Sequence, residues 1–303
     1  MNDGAHPTPD PAPGPTVTAE HVTIPVGDAG VLSGTVRMPR DAAPRRAIAL
    51  HPATAVPERL YAGFAEYLAA AGAAVLTYNY RGSGTSEVAR RNRSVRMRDW
   101  MDEDVPAAAA WLRARFPELP HLAVGHSIGG HALALGSGSE GLAAFATVAS
   151  HAGVTATIPD RRERARVALI LNVIGPVLAR TLGYLPGRRL GLGEDMPGAA
   201  MLEWGRWSRL PRYFFDDPTM SAEARAGRVC GRVLAIGFSD DPWATPGQIE
   251  AITSHLTNAQ VERRTYTPAD AQVEKIGHMG FFRRGAAATL WPKLGDWLAT
   301  QAG

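Results

Sequence analysis

A serine stands at the centre of a glycine-rich segment, GHSIGG at residues 125–130, which directly follows the apolar run HLAV. The G-x-S-x-G spacing between a predicted strand and a predicted helix is typical of a turn that projects a nucleophilic serine above the edge of a sheet. The alternative is an ordinary glycine turn in which Ser127 only caps the following helix. The strand–turn–helix context favours the nucleophile, and it makes the backbone amide of Ile128 a candidate oxyanion donor.

A serine hydroxyl is a poor nucleophile unless a base accompanies it and an acid orients that base. Two acids, Asp240 and Asp241, follow a predicted strand at residues 232–238, and His278 lies in a glycine-flanked loop before the last predicted helix. Each residue alone could be a turn former or a surface residue. Together, in the order serine, acid, histidine, they predict a catalytic triad. On this reasoning either aspartate could be the orienting acid.

The elements that must position these residues alternate between strands and helices. Two predicted strands at residues 18–26 and 31–38 suggest a hairpin, and later strand-like runs alternate with helical patterns. Few of those runs alternate between apolar and polar residues, which predicts an α/β fold with a mainly parallel sheet covered by helices on both faces. The predicted strands in this part are residues 47–50, 74–80, 121–125, 145–150, 232–238 and 261–267.

Residues 155–225 interrupt this alternation with helical segments rich in arginine, leucine and tryptophan. Their place before the strand that precedes the candidate acid predicts a helical lid over the serine. Trp204 and Trp207 are candidates for the wall of an apolar substrate pocket, and ordinary packing is the alternative. The predicted organisation is a disordered leader at residues 1–16, a core at 17–154 and 226–303, and this lid.

Composition and charge exclude several functional classes. The net charge of +3 is carried almost entirely by arginines dispersed among acids, which argues against nucleic acid as a partner. Cys230 is the only cysteine, so an intrachain disulfide and a thiolate metal cluster are excluded. The acids at the start of the predicted helix at 99–116 are interpreted as partners of the helix dipole rather than metal ligands. No cofactor or metal is predicted.

Neither a secretory signal nor a membrane span is predicted. Residues 1–16 contain acids and prolines but lack an apolar signal core. The longest apolar stretch, residues 167–179, is interrupted by Asn172 and by Gly175-Pro176, and it falls short of the roughly 20 residues that a span needs. The expected location is the cytoplasm. The sequence does not indicate an oligomeric state.

Several motifs resemble those of the α/β-hydrolase superfamily. NYRGSGTS at residues 79–86 resembles its D-x-R-G-x-G-x-S loop, and GHSIGG resembles its G-H-S-x-G-G elbow. Five further segments resemble a bacterial branch of predicted hydrolases related to serine-aminopeptidase-like and esterase-like enzymes: PATAV, GLGEDMP, RLPRYFFDDP, SDDPWATP and IGHMGFFR. The resemblance covers nearly the whole chain after the leader. It implies the α/β-hydrolase fold and a serine hydrolase mechanism through an acyl-enzyme.

The resemblance also selects between the candidate acids, and it shows two departures. The family pattern, an acid followed within a few residues by proline, matches Asp241, which leaves Asp240 to hold the turn. The usual His-Gly after the third strand is His51-Pro52 here, and proline has no amide hydrogen. The second oxyanion donor is therefore expected to be a later amide, Ala53 first and Thr54 next. Asn79 replaces an aspartate at a position that is usually structural.

Three functions are compatible with these residues. The first is hydrolysis of a small-molecule ester, thioester or amide with an apolar acyl part. The second is acyl transfer or cyclisation, in which the same triad passes the acyl group to an acceptor other than water. The third is a non-catalytic binding protein, which the intact triad disfavours. Among the remaining histidines, His126 is expected to pack away from the serine, whereas His51 and His151 follow predicted strands and could line the site.

Overall fold

The computed structural model describes residues 16–28 and 30–302, so nearly all of the predicted leader lies outside the described residues. Ten strands are present in this part of the chain: β1 (Val17–Val26), β2 (Gly30–Pro39), β3 (Arg46–His51), β4 (Ala73–Tyr78), β5 (His121–His126), β6 (Ala144–Val148), β7 (Tyr184–Leu185), β8 (Met196–Pro197), β9 (Cys230–Phe238) and β10 (Asn258–Tyr266).

Eight of these strands form one sheet in the order β1-β2-β4-β3-β5-β6-β9-β10. The predicted hairpin is confirmed as β1 and β2, which pair antiparallel at one edge, and β2 also runs antiparallel to β4. All other pairs in the sheet are parallel. Every residue of β3, β4, β5 and β6 is buried, as expected for central parallel strands covered on both faces, whereas β1 alternates towards solvent.

Helices cover both faces of this sheet. Phe64, Trp291 and Leu294 pack on one face, and Ala108, Leu112 and Leu133 pack on the other. The helices are α1 (Ala62–Ala70), α2 (Met97–Asp99), α3 (Val105–Arg115), α4 (Ile128–Ala134), α5 (Arg161–Leu169), α6 (Gly175–Leu182), α7 (Gly187–Leu190), α8 (Gly198–Trp207), α9 (Ala222–Ala226), α10 (Pro246–Thr253), α11 (Pro268–Ala271) and α12 (Leu290–Gln301).

Two helices pass through a proline without a break. A π-helical turn, Trp100–Asp104, joins α2 to α3, and a second one, Ile170–Ile174, joins α5 to α6. Pro106 and Pro176 each fall in the first turn after a π-helical turn, where the ordinary hydrogen-bond ladder is already interrupted. Gly175-Pro176, which interrupts the apolar stretch in the sequence, does not interrupt the helix, because the backbone stays helical from Arg161 to Leu182.

In the described part of the chain, one helix is long and apolar enough to cross a membrane, judged by length and composition alone, and it is this 22-residue helix. A core helix of a soluble protein can satisfy the same criterion, so this is weak evidence for a span. The sequence argument against a span, which relied on a broken apolar stretch, does not hold for this helix. Leu171 and Ala179 are buried in the core, but most of the helix is not, and its exposed side chains include Leu169, Val173, Val177 and Leu182.

Between β6 and β9, residues 155–225 contain α5–α8, all but the last residue of α9, and the antiparallel pair β7–β8. Arg98 attaches this inserted segment to the rest of the chain. The Arg98 guanidinium donates to Glu203 Oε1 at 2.6 Å and to Asp217 Oδ2 at 2.7 Å. All three side chains are mostly buried, so the position of the inserted segment is held by paired charges as well as by apolar packing.

Candidate active site

Ser127 occupies a strained turn between β5 and α4. Its φ is 52° and its ψ is −112°, a conformation that non-glycine residues rarely adopt. A Cβ atom at Gly125 would collide with the backbone of Gly129 and Gly130, and a Cβ at Gly129 would collide with the carbonyl oxygen of His51. The glycines are therefore required by the close approach of chain segments on both sides of the serine.

His278 lines the same cavity as Ser127 and is hydrogen bonded to Asp241. His278 Nδ1 lies 2.7 Å from Asp241 Oδ2. The other carboxylate oxygen, Oδ1, accepts the backbone amides of Trp243 at 2.9 Å and Ala244 at 3.2 Å. Burial alone would raise the pKa of Asp241, but the charge and hydrogen bond of His278 and the amide donors lower it to about 2. The carboxylate is therefore ionised at neutral pH and orients the ring.

Asp240 has a different set of partners. Its two carboxylate oxygens accept the backbone amides of Ile276 at 2.8 Å and Gly277 at 3.0 Å, immediately before His278. Asp240 thus holds the loop that carries the histidine, whereas Asp241 contacts the imidazole itself. The geometry separates two neighbouring aspartates that sequence position alone left equivalent.

His126 connects this loop to the serine turn. Burial, together with the charge of His278, lowers the pKa of His126 to about 3, so the ring is neutral at pH 7. Its Nε2 lies 3.0 Å from the carbonyl oxygen of His278 and must donate, so Nδ1 accepts from the Tyr61 hydroxyl at 2.9 Å. The Tyr61 oxygen in turn accepts the Ala53 amide at 2.8 Å. As expected, His126 packs inside the protein.

This chain of hydrogen bonds corrects the expectation for Ala53. Because its amide already donates to Tyr61, Ala53 has no hydrogen to offer to an oxyanion. Within the described residues, the amides of Thr54 and Ile128 donate to no acceptor, and both residues line the cavity beside Ser127. Thr54, the second choice from sequence, replaces Ala53 as the candidate partner of Ile128.

The cavity has a volume of about 160 Å³ and joins Ser127 and His278 to the inserted segment. Of the two tryptophans predicted in its wall, Trp204 borders the cavity and Trp207 does not. Trp207 is almost completely buried, and its indole nitrogen donates to Asp217 Oδ2 at 2.8 Å. The expectation for Trp207 is therefore corrected to packing. Most of the wall is apolar, including Val167, Ile170, Leu171, Met196 and Met201.

Within the described contacts, no hydrogen bond joins the Ser127 hydroxyl to His278. Both residues line the cavity, and the serine–histidine contact of such sites often tightens only when substrate binds. No group of three or more histidine, cysteine, aspartate or glutamate side chains in the described part of the chain could hold a metal ion.

Sequence reasoning overlooked two residues that contact the site. Trp243 lines the cavity, its ring centroid lies 5.0 Å from that of His278, and its indole nitrogen donates to Glu163 of the inserted segment at 2.8 Å. Its position two residues after Asp241 was an available signal. Tyr61 gave none, because no motif surrounds it.

The parallel sheet and the strained serine turn between a strand and a helix define an α/β-hydrolase. A family model described as serine aminopeptidase, S33, matches residues 43–241, well over half of the chain, and the chain belongs to this family. The match ends at Asp241, so His278 lies beyond it. No curated protein sequence matches the chain significantly.

Solved structures of esterases and lipases share the fold. A soluble variant of monoglyceride lipase from Saccharomyces cerevisiae superposes with a TM-score of 0.66 at 14% identity, covering 97% of this chain and 98% of the lipase. An esterase from Pyrococcus furiosus has a TM-score of 0.61 at 15% identity, covering 99% and 95%. A thermostable carboxylesterase from a metagenomic library has a TM-score of 0.60 at 15% identity, covering 94% and 90%. Identities this low show a common fold and no more.

Proposed function

We propose that this protein is a serine hydrolase that cleaves esters with an apolar acyl part by way of an acyl-enzyme. The observation that carries the proposal is the 2.7 Å hydrogen bond between His278 and a buried, ionised Asp241 at the cavity that Ser127 also lines. Family membership supports hydrolase activity. The esterases and the monoglyceride lipase of the same fold support an ester as the substrate.

In this mechanism the Ser127 oxygen attacks the ester carbonyl while His278 Nε2 accepts the serine proton. Asp241 accepts the Nδ1 hydrogen, which leaves Nε2 unprotonated and stabilises the imidazolium that forms. The amides of Ile128 and Thr54 donate to the developing oxyanion. His278 then protonates the departing alcohol. A water molecule, deprotonated by the same histidine, attacks the acyl-serine, and His278 returns that proton to the Ser127 oxygen as the acid leaves.

The inserted segment, residues 155–225, acts in this proposal as the lid that excludes water and selects the acyl chain. Its apolar side chains supply much of the cavity wall, including Leu171 and Trp204. The contact between Trp243 and Glu163 links this lid directly to the loop of the orienting acid. A thioester or amide with the same apolar acyl group would meet the same groups.

A fluorophosphonate probe and a series of p-nitrophenyl esters test the proposal. The probe should label the wild-type protein and the control Ser139→Ala, whose serine lies in the loop after α4, but not Ser127→Ala. Removing the nucleophile should lower kcat by several orders of magnitude, because only oxyanion and binding effects remain. Turnover by a folded Ser127→Ala variant close to that of the wild type would refute the assignment.

Product analysis tests whether water is the acceptor. The acyl-enzyme is expected to yield mainly the free acid, even when a primary alcohol is added to the reaction. Formation of the ester of that alcohol as the main product would instead identify an acyltransferase with the same triad.

A further inference from the structure

Two histidines that the proposed mechanism does not use line the same cavity as Ser127: His131 on α4 and His151, which follows β6. His131 Nε2 lies 2.8 Å from the carbonyl oxygen of His151, and His151 Nδ1 lies 3.0 Å from the carbonyl oxygen of Ala149. The two ring centroids are 6.4 Å apart, and the His151 ring is 5.3 Å from that of His278. The pair therefore lies next to the proposed base.

These contacts determine which nitrogen of each ring carries hydrogen. A carbonyl oxygen only accepts, so His131 Nε2 and His151 Nδ1 must both donate. Burial lowers the pKa of His131 to about 3 and that of His151 to about 4, with nearby imidazoles adding to the effect. Each ring is therefore neutral at pH 7 and retains one bare lone pair, on Nδ1 of His131 and on Nε2 of His151.

No donor within the described residues reaches either lone pair. The Thr155 hydroxyl, in the same cavity wall, is buried and has no hydrogen-bond partner in the described residues. The surroundings are otherwise apolar, since His131 packs against the rings of Tyr213 and Phe214. Unpaired polar atoms in an apolar wall favour a ligand that supplies the missing donor.

The charges around the cavity restrict that donor to a neutral group. Arg166, the cation in the wall, is hydrogen bonded twice to Glu163, at 2.6 and 2.8 Å, and Glu163 also accepts from Trp243. No glutamate or aspartate in the described part of the chain lines this cavity to balance an ammonium group. A carboxylate would face imidazole lone pairs, which repel it. A hydroxyl satisfies an imidazole nitrogen without bringing in a charge.

We propose that the substrate is an ester that carries a free hydroxyl near the scissile bond, and that this hydroxyl donates to His151 Nε2. His131 Nδ1 and the Thr155 hydroxyl provide further polar contacts in the same wall. The proposal rests on the proposed hydrolase function and specifies its substrate class. The hydroxyl could belong to the acyl part or to the alcohol part of the ester, since His278 serves both sides of the bond.

Two pairs of esters, each matched in shape, distinguish the two positions. p-Nitrophenyl β-hydroxybutyrate and p-nitrophenyl isovalerate differ by a hydroxyl in place of a methyl group on the acyl side. Ethylene glycol monohexanoate and n-propyl hexanoate differ in the same way on the alcohol side. Wild-type kcat/KM should favour the hydroxyl member of at least one pair by about tenfold to a hundredfold, because the methyl analogue leaves an acceptor unpaired. Ratios near one in both pairs would overturn the proposal.

Variants test the assignment to His151. His151→Phe should bring the preferred pair's ratio close to one, and His151→Gln, which keeps an acceptor, should restore part of it. His21→Phe, the same substitution on β1 outside the cavity wall, is the matched control and should keep the wild-type ratio. A wild-type ratio in folded His151→Phe would also overturn the proposal.

A binding measurement separates this inference from the proposed function. Titration calorimetry of the same esters with Ser127→Ala measures recognition without turnover. Tighter binding of the hydroxyl member would support the pocket even if the wild-type protein hydrolysed none of the esters. Equal dissociation constants within both pairs would reject the pocket even if hydrolysis were observed.

Discussion

The neighbouring aspartates offer a sharp test of the site, because the same chemical change has a different consequence at each. In Asp241→Asn, the amide oxygen can still accept the backbone hydrogens of Trp243 and Ala244, as Oδ1 does now. The amide nitrogen then faces His278 Nδ1, donor against donor. The imidazole avoids this conflict by moving its hydrogen to Nε2, where it blocks acceptance of the serine proton.

The expected magnitudes follow from these contacts. The wrong tautomer lowers kcat by about 10⁴-fold in a comparable triad, which corresponds to about 5.5 kcal/mol of transition-state stabilisation. Asp240→Asn instead weakens one of two hydrogen bonds to backbone amides, those of Ile276 and Gly277. Its cost is about 1–3 kcal/mol in the stability of the histidine loop, with kcat reduced by about tenfold or less.

The assay is kcat on a short p-nitrophenyl ester, measured beside thermal unfolding for both variants and the wild type. The reasoning predicts that Asp241→Asn is far less active than Asp240→Asn, although both are folded. Equal losses, or a larger loss in Asp240→Asn, would refute the proposed role of Asp241.

Three further results are expected. Trp204→Ala should change the preferred acyl-chain length in a p-nitrophenyl ester series. Trp207→Ala should leave that preference unchanged and lower the free energy of unfolding by about 3–5 kcal/mol. The reverse pattern would mean that the cavity wall is misassigned. Tyr61→Phe should lower the free energy of unfolding, measured in urea, by about 2–4 kcal/mol, because two buried partners lose the hydroxyl. The control Tyr67→Phe on α1, whose hydroxyl has no hydrogen bond in the described residues, should lower it by less than about 0.5 kcal/mol. Equal costs would contradict the hydrogen-bond chain. The pKa of Asp241 is lowered from 3.8 to about 2, so its ionised form contributes stability that is present above about pH 4 and lost as the pH falls towards 2. Acid unfolding of Asp241→Asn should lack this loss of stability. An acid unfolding profile unchanged from that of the wild type would contradict the buried pair.

The sequence predicted the local features of the site because local sterics dictate them. The serine at positive φ and the glycine two residues before it are readable from GHSIGG alone, since a Cβ at Gly125 would collide with the backbone of Gly129 and Gly130 within the turn itself. The parallel sheet was equally readable, because strands buried on both faces need continuous apolar runs. The same applies to the acid after β9, whose pairing with a later histidine follows from the chain order of the triad.

Features that depend on contacts between distant segments could not be read in the same way. Ala53 and Thr54 are adjacent in the sequence, and only the Tyr61 hydroxyl, reached through the fold, takes up the Ala53 amide and leaves that of Thr54 free. Trp204 and Trp207 lie on the same helix, and the buried Asp217 carboxylate decides which of them turns away from the cavity.

The same division applies to the histidines of the cavity. The sequence alone marked His151 as a residue after a strand and indicated no ligand role for His131. Their donors and acceptors were assigned only when the fold brought one ring beside the backbone carbonyl of the other, 20 residues away along the chain. A local pattern determines backbone conformation through short-range collisions. Whether a buried side chain keeps a free lone pair depends on every group that packs around it, and only the tertiary structure decides which groups those are.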